Sequence, residues 1–322
     1  MKKIKIGVLG CADIAKRLAI SAIKSTDEFE VVAIASRTLK KAQQFANQFN
    51  CEAIQGYENL LIKRDIDAVY IPLPTGLHYE WTVKALKNRK HVLAEKSISV
   101  DYASAKDMVE TAQKNKLALF ENFMFIFHSQ YNFLFEKLND GEIGEIRCFR
   151  SSFGFPPLRN DDIRYIKALG GGALLDAGVY TIKAAQFILG NNLHVNAAYL
   201  KYDAATKVDV YGGAFLSNDN GLFAEVAFGF DNYYQNNIEI WGSKGKIIAE
   251  RAFTAGPGFK PKIILEKQDK RHEFILPSDN HFVNLLKEFY NSITNNNFEY
   301  QYNEILKQAE LVNAVRINAN KT

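Results

Sequence analysis

KIKIGVLGCADIAKRL, residues 3–18, is the stretch that decides the fold class. Ile4–Leu9 is a short apolar run of strand length, and residues 14–24 carry apolar side chains at helical spacing. A buried strand that runs through a glycine turn straight into a helix is the opening of a βαβ unit. The pattern repeats onward. FEVVAIA at 29–35 and DAVYIPL at 67–73 read as strands, Leu39–Phe49 as an amphipathic helix, and a further helix starts at 78–86. Residues 91–94 and 117–120 read as strands around a helix at Tyr102–Asn115. Strands alternating with helices predict a parallel sheet covered on both faces.

Past Asn122 the pattern changes. A helix at 129–138 is followed by a strand at 146–153 and a helix at 173–189 that enters from a glycine run. From Val195 to Leu276 the chain is mostly strands, with DNG at 219–221 and SKG at 243–245 as hairpin turns, and helices at 281–293 and 303–317 close it. The expected fold is therefore α/β plus α+β. A doubly wound Rossmann sheet at 1–121 precedes a domain at 122–322 built on a large, mostly antiparallel open sheet. The last helix is expected to pack back on the first domain.

Composition excludes several classes. Of 322 residues, 47% are hydrophobic and 24% charged, which is ordinary for a globular chain. The net charge of +4 comes from 40 basic and 36 acidic residues spread along the chain, not the clustered basic face that nucleic acid requires. Cys11, Cys51 and Cys148 are an odd, scattered set, so neither a disulfide framework nor a metal site is expected. Gly10, Asp13 and Lys16 break the N-terminal apolar run, which argues against a signal peptide. No apolar run is long enough to span a membrane. The expected setting is the cytoplasm.

The turn Gly10-Cys11-Ala12-Asp13-Ile14-Ala15 compares with the G-x-G-x-x-G/A of dinucleotide sites. Gly10 makes the tight turn, Ala12 lets the backbone approach a pyrophosphate, and the helix N-terminus near Asp13 and Ile14 favours its negative charge. At the end of the second strand an NAD site typically places an acid for the ribose 2′-hydroxyl. Here Ser36-Arg37 stands instead, with Lys41 nearby. An arginine fork pairs with a 2′-phosphate that an acid repels, so NADP(H) is expected in preference to NAD(H). His78, after Leu73-Pro74-Thr75, lies where the nicotinamide is expected, and is read equally as a structural cap or as a cofactor contact.

The segments IPLPTGLHYEW at 71–81, AEKS at 94–97, ENFMFIFHSQ at 121–130, GEIGEIR at 141–147, GGGALLDAGVY at 170–180 and WGSKGKI at 241–247 resemble, in joint order and spacing, the Gfo/Idh/MocA oxidoreductase family. The resemblance covers nearly the whole chain. It implies that Glu95-Lys96 corresponds to the family's E-K-P motif, with Lys96 catalytic and beside the cofactor and Ser97 in the place of proline. It implies that Asp176 and Tyr180 correspond to D-x-G-x-[HY]. Tyrosine at that position is found in dihydrodiol and xylose dehydrogenases and in 3-ketoreductases of nucleotide-linked deoxysugars, and the stretch DDIRYIKALGGGALLDAGVY is most similar to the last group.

The residue chemistry agrees. Ketone reduction needs a hydride on carbon and a proton on oxygen. A phenol titrates near about 10, and a lysine cation beside it favours tyrosinate, so Tyr180 is read as general acid in reduction and general base in oxidation. Asp176, one turn before Tyr180, is read as a ligand of a sugar hydroxyl, as a group orienting Lys96, or as a helix cap. Arg164 is read either as a substrate contact or as half of an ion pair. The expected function is NADP(H)-dependent reduction of a keto group on a nucleotide-linked sugar. The alternatives are NADP-dependent oxidation of a free aldose or dihydrodiol and, from another class, a non-catalytic cofactor-binding regulator. A homodimer or homotetramer through the second domain's open sheet is expected, because an exposed apolar sheet face needs covering.

Overall fold

The computed structural model describes residues 3–320, so the outermost two residues at each end of the 1–121 and 122–322 division lie outside the described residues. Strand β1 (Ile4–Leu9) buries Ile6, Val8 and Leu9 completely and runs into a helix that begins with a π turn at Ala15–Ala19 and continues as α1 (Ile20–Lys24). Then follow β2 (Phe29–Ser36), α2 (Leu39–Phe49), β3 (Glu52–Gln55), α3 (Tyr57–Leu61), β4 (Ala68–Ile71), α4 (Thr75–Lys87), β5 (His91–Glu95), α5 (Tyr102–Asn115) and β6 (Leu119–Asn122). The six strands pair in parallel in the order β3-β2-β1-β4-β5-β6. The order reverses between β1 and β4, and ligands of such sheets bind beyond the carboxyl ends of the strands at that point.

The strand expected at 117–120 lies at Leu119–Asn122 and the helix expected at 303–317 spans Glu299–Ala319; two further boundaries differ for local reasons. The third expected strand, at 67–73, stops at Ile71, because Pro72 has no N–H to continue the ladder. The next helix begins at Thr75 rather than near His78, after Pro74 in extended conformation (ψ 145°). β3 and α3 were not expected. β3 is a four-residue edge strand that buries only Ile54.

The second part opens with a 3-10 turn at Met124–Phe127 and α6 (Ser129–Asn139), capped by the side chain of His128, which accepts from Gln130 N. β7 (Ile146–Gly154) leads through a loop to α7 (Val179–Leu189), which continues a π turn at Leu174–Gly178. Seven strands follow: β8 (His194–Tyr202), β9 (Asp209–Ser217), β10 (Phe223–Gly229), β11 (Gln235–Gly242), β12 (Lys246–Glu250), β13 (Lys262–Lys267) and β14 (Lys270–Ile275). They form with β7 one eight-stranded sheet, β14-β13-β12-β11-β7-β10-β9-β8. Every pair in it is antiparallel except β7 with β10.

The closing helices are α8 (His281–Asn295) and α9 (Glu299–Ala319). Two compact units result, 1–122 with 282–306 and 123–281 with 307–322. The last helix is expected to pack back on the first domain; its residues up to Leu306 belong to the first unit, as does α8 from Phe282 onward. The apolar face of α8 packs there: the Phe289 ring lies 6.0 Å from Phe29 and 5.0 Å from Phe120. On α9, Tyr302 donates to Leu117 O at 2.5 Å in the first unit, and Gln308 donates to Val179 O at 2.9 Å in the second.

Candidate active site

In the first unit the loops after β1, β2 and β3 bring one group of expected residues together. Gly10 has φ +119°, and a Cβ there would stand 2.8 Å from Leu73 Cδ2, so the turn needs glycine. Its N–H donates to Ala35 O at 2.9 Å, which holds the turn against the end of β2. Cys11 is half-buried, with Sγ 3.8 Å from Lys41 O. Burial pushes its thiol up, while a hydrogen bond with Ser36 and the Lys41 charge oppose. Arg37 is exposed at the strand end. Its charge opposes the rise that burial produces in the pKa of the Tyr57 phenol. Ala12 and Ile14 are half-buried, and the exposed Asp13 pairs with Arg17. A glycine turn that admits no Cβ, a helix starting beyond it and an exposed arginine with no acid at the end of β2 fit a phosphorylated dinucleotide.

A second group surrounds Lys96, which follows β5. Glu95 is buried, and its Oε1 accepts from Tyr70 Oη at 2.5 Å and from Asn122 Nδ2 at 2.6 Å. Burial raises the Glu95 pKa, and these two bonds and Lys96 work against it. On the far side of Lys96, Ile98 N donates to Glu121 Oε1 at 2.8 Å. Lys96 itself is half-buried, and the Lys96–Ser97 peptide is cis. Leu73, Pro74 and Thr75 are half-buried. His78, read as a cap or a cofactor contact, is fully buried, with Nδ1 2.7 Å from Ser97 O and Nε2 2.6 Å from Leu73 O. Its ring is thus engaged with backbone rather than presented to a ligand. Burial pushes its pKa down, although both carbonyls favour the charged ring.

Tyr180, Asp176 and Arg164 lie in the second unit. Tyr180 is 6% exposed, in α7 against β7. Its ring centroid lies 5.2 to 5.8 Å from those of Phe123, Phe125, Phe153 and Phe253. Arg164 Nε donates to Asp176 Oδ2 at 2.5 Å, and its Nη1 lies 3.2 Å from Asp162 Oδ1. Burial disfavours this guanidinium's charge, but the two carboxylates outweigh it and hold the pKa above its ordinary range. Arg164 thus forms the ion pair that one of its two readings expects, and it joins Asp176 to the loop before α7. The glycine run has a packing reason. A Cβ on Gly171 would strike the Arg164 carbonyl, and one on Gly172 (φ +126°) the Asp209 carboxylate.

Several residues at these sites escaped the sequence reading. Tyr70, Glu121 and Asn122 hold the segment around Lys96; Tyr70 was signalled only by a polar group inside an apolar strand, and Glu121 and Asn122 also by opening the segment ENFMFIFHSQ. Asp209 accepts from Leu174 N at 2.5 Å at the entry to α7. Lys183, one turn after Tyr180, is 4% exposed with Nζ 5.9 Å from the Phe123 ring centroid. Among the described residues, no group of three or more His, Cys, Asp or Glu is placed to hold a metal ion, and no helix is long and apolar enough to cross a membrane.

Comparison with known proteins agrees with this architecture. Residues 4–123 match the oxidoreductase family GFO_IDH_MocA, with an NAD-binding Rossmann fold, and residues 131–248 match the GFO/IDH/MocA C-terminal domain. A dTDP-3,4-didehydro-2,6-dideoxy-alpha-D-glucose 3-reductase of Actinomadura kijaniata is 42% identical over 98% of this chain and 96% of its own. The crystal structure of KijD10, a 3-ketoreductase from the same organism in complex with NADP and TDP-benzene, superposes with a TM-score of 0.96 at 41% identity, covering 98% of both chains. A D-xylose 1-dehydrogenase (NADP(+)) of Haloferax volcanii is 33% identical over 78% of this chain and 77% of its own.

Proposed function

Because the chain belongs to the Gfo/Idh/MocA oxidoreductase family, we propose that it is an NADP(H)-dependent reductase of a keto group on a nucleotide-linked deoxysugar. The observation that carries this reading is the 42% identity, end to end, with a dTDP-ketosugar 3-reductase. The residues that hold the dinucleotide in this reading are Gly10, Cys11, Ala12, Asp13 and Ile14 at the pyrophosphate, Ser36, Arg37 and Lys41 at the 2′-phosphate, and Leu73, Pro74, Thr75, Glu95 and Lys96 towards the nicotinamide. When bound, NADPH supplies the hydride that the carbonyl carbon receives. Tyr180 gives its phenolic proton to the carbonyl oxygen and is reprotonated from solvent. The Lys96 ammonium stabilises the negative charge that develops on that oxygen. Asp176, oriented by Arg164, accepts a hydrogen bond from a sugar hydroxyl.

The direct test is loss of NADPH absorbance with a dTDP-linked 3-ketosugar. Turnover of D-xylose or a dihydrodiol with NADP⁺, and none of the nucleotide-linked ketone, would overturn the assignment. Arg37→Ala is expected to raise KM for NADPH about tenfold, the scale of one charge-assisted hydrogen bond at an exposed site, and to leave KM for NADH unchanged. Equal changes for both cofactors would remove Arg37 from the 2′-phosphate site.

The sheet of the second unit supports an oligomer. One of its faces exposes Tyr199, Tyr211, Phe215 and Trp241, where Arg150 is held between Glu225 and Glu239. We assign this face to a homodimer or homotetramer contact, since exposed aromatics of this kind mark association surfaces. Phe215→Glu is expected to shift sedimentation to the monomer, and an unchanged sedimentation coefficient would exclude the face. Three unpaired thiols support a cytoplasmic setting, which cell fractionation reads.

A further inference from the structure

We propose that His78 is a positioning residue that seats Lys96, acting through the Ser97 carbonyl, and that the same ring ties this seat to the loop after β4. The inference rests on the reductase reading of Lys96.

The segment 95–98 is fastened on both sides of its lysine. Glu95 is held by Tyr70 of β4 and Asn122 of β6, and the Ile98 N–H by Glu121 of β6. The Ser97 carbonyl is held by His78 of α4, at 2.7 Å from Nδ1. His78 has a second arm, since Nε2 lies 2.6 Å from Leu73 O. Leu73 is also the residue whose side chain packs against Gly10. The ring therefore connects the turn expected to carry the dinucleotide with the residue expected to stabilise the transition state. It is 0% exposed, so the two carbonyls have this ring rather than solvent beside it. Both partners are acceptors. A neutral imidazole donates to one of them and an imidazolium to both. A lysine reaches its target on a flexible four-carbon stem, so its ammonium is placed no better than its own backbone.

Two conservative variants separate the arms. The amide nitrogen of asparagine stands where Nδ1 was, and that of glutamine where Nε2 was. His78→Asn can donate only to Ser97 O, and His78→Gln only to Leu73 O. His78→Gln is expected to lower kcat about 10–100-fold, the scale of a small displacement of a catalytic group, with NADPH affinity unchanged. His78→Asn is expected to keep most of kcat and to weaken NADPH binding several-fold. Equal losses in both variants, or a lower Tm with intact kinetics well below the transition, would mean that the ring only packs, and would overturn the proposal. If neither variant folds, nitrogen-15 spectra of the wild-type histidines decide. A slowly exchanging proton on Nδ1 of His78 supports the bond to Ser97, and an unprotonated Nδ1 overturns it. A wild-type enzyme that reduces no nucleotide-linked ketone would instead sink the reductase reading, while the spectrum and the NADPH titration still judge the clamp.

Discussion

Tyr180→Phe is expected to lower kcat for ketone reduction by about 10²–10⁴-fold, the contribution of a positioned general acid, and to leave NADPH affinity and Tm nearly unchanged. The surroundings of the ring make this substitution informative. Phe123, Phe125, Phe153 and Phe253 enclose it, so a phenylalanine retains the aromatic contacts and only the oxygen is lost. Lys183, beside Phe123, and the Asp176–Arg164 pair stay in place as well. A loss confined to kcat then reports the proton, because an interaction made only in the transition state lowers kcat without raising KM. A rise in KM at constant kcat, or a fall in Tm that tracks the activity, would return Tyr180 to a packing role.

The same residues show which parts of the molecule a sequence can disclose. β1, its glycine turn and the helix beyond it were legible because periodicity and turn chemistry are local, and so were α2 and α5 to the residue. β3 and β14 were not. EAIQ buries one side chain of four, and KRHEFI is an edge strand whose charges guard it against further pairing but erase the alternation that marks a strand. The place of α8 depends on Phe29 and Phe120, more than 150 residues earlier, and no pattern within the helix names its partner. At the candidate site the residue types that do chemistry could be read from spacing and resemblance. The residues that hold them could not. Tyr70, Asn122 and Glu121 meet the segment around Lys96 because the parallel order β4-β5-β6 brings three strand ends side by side, and the partners of His78 could not be read from its position in the sequence. Arg164 carried two readings in the sequence, and its ion pair with Asp176 could be seen only in three dimensions.

Lys96→Met is expected to lower kcat/KM by about 10²–10³-fold, the scale of one preorganised group facing developing negative charge. Methionine retains the length of the stem. The hydrogen bonds to Glu95, Ser97 O and Ile98 N come from Tyr70, Asn122, His78 and Glu121, so they remain when the lysine charge is removed. Lys96→Arg is expected to restore little, since a planar fork does not occupy the place of a compact ammonium. The decisive measurement combines the two substitutions. If Lys96 and Tyr180 serve one proton transfer, removing either disables the same step, and the double variant loses about as much as the worse single one. If each acts alone, the losses multiply. A multiplied loss would leave two useful residues but no shared acid, and Lys96 would then have to be reassigned to binding the substrate. A double variant no worse than Tyr180→Phe would assign both residues to one step, the proton transfer.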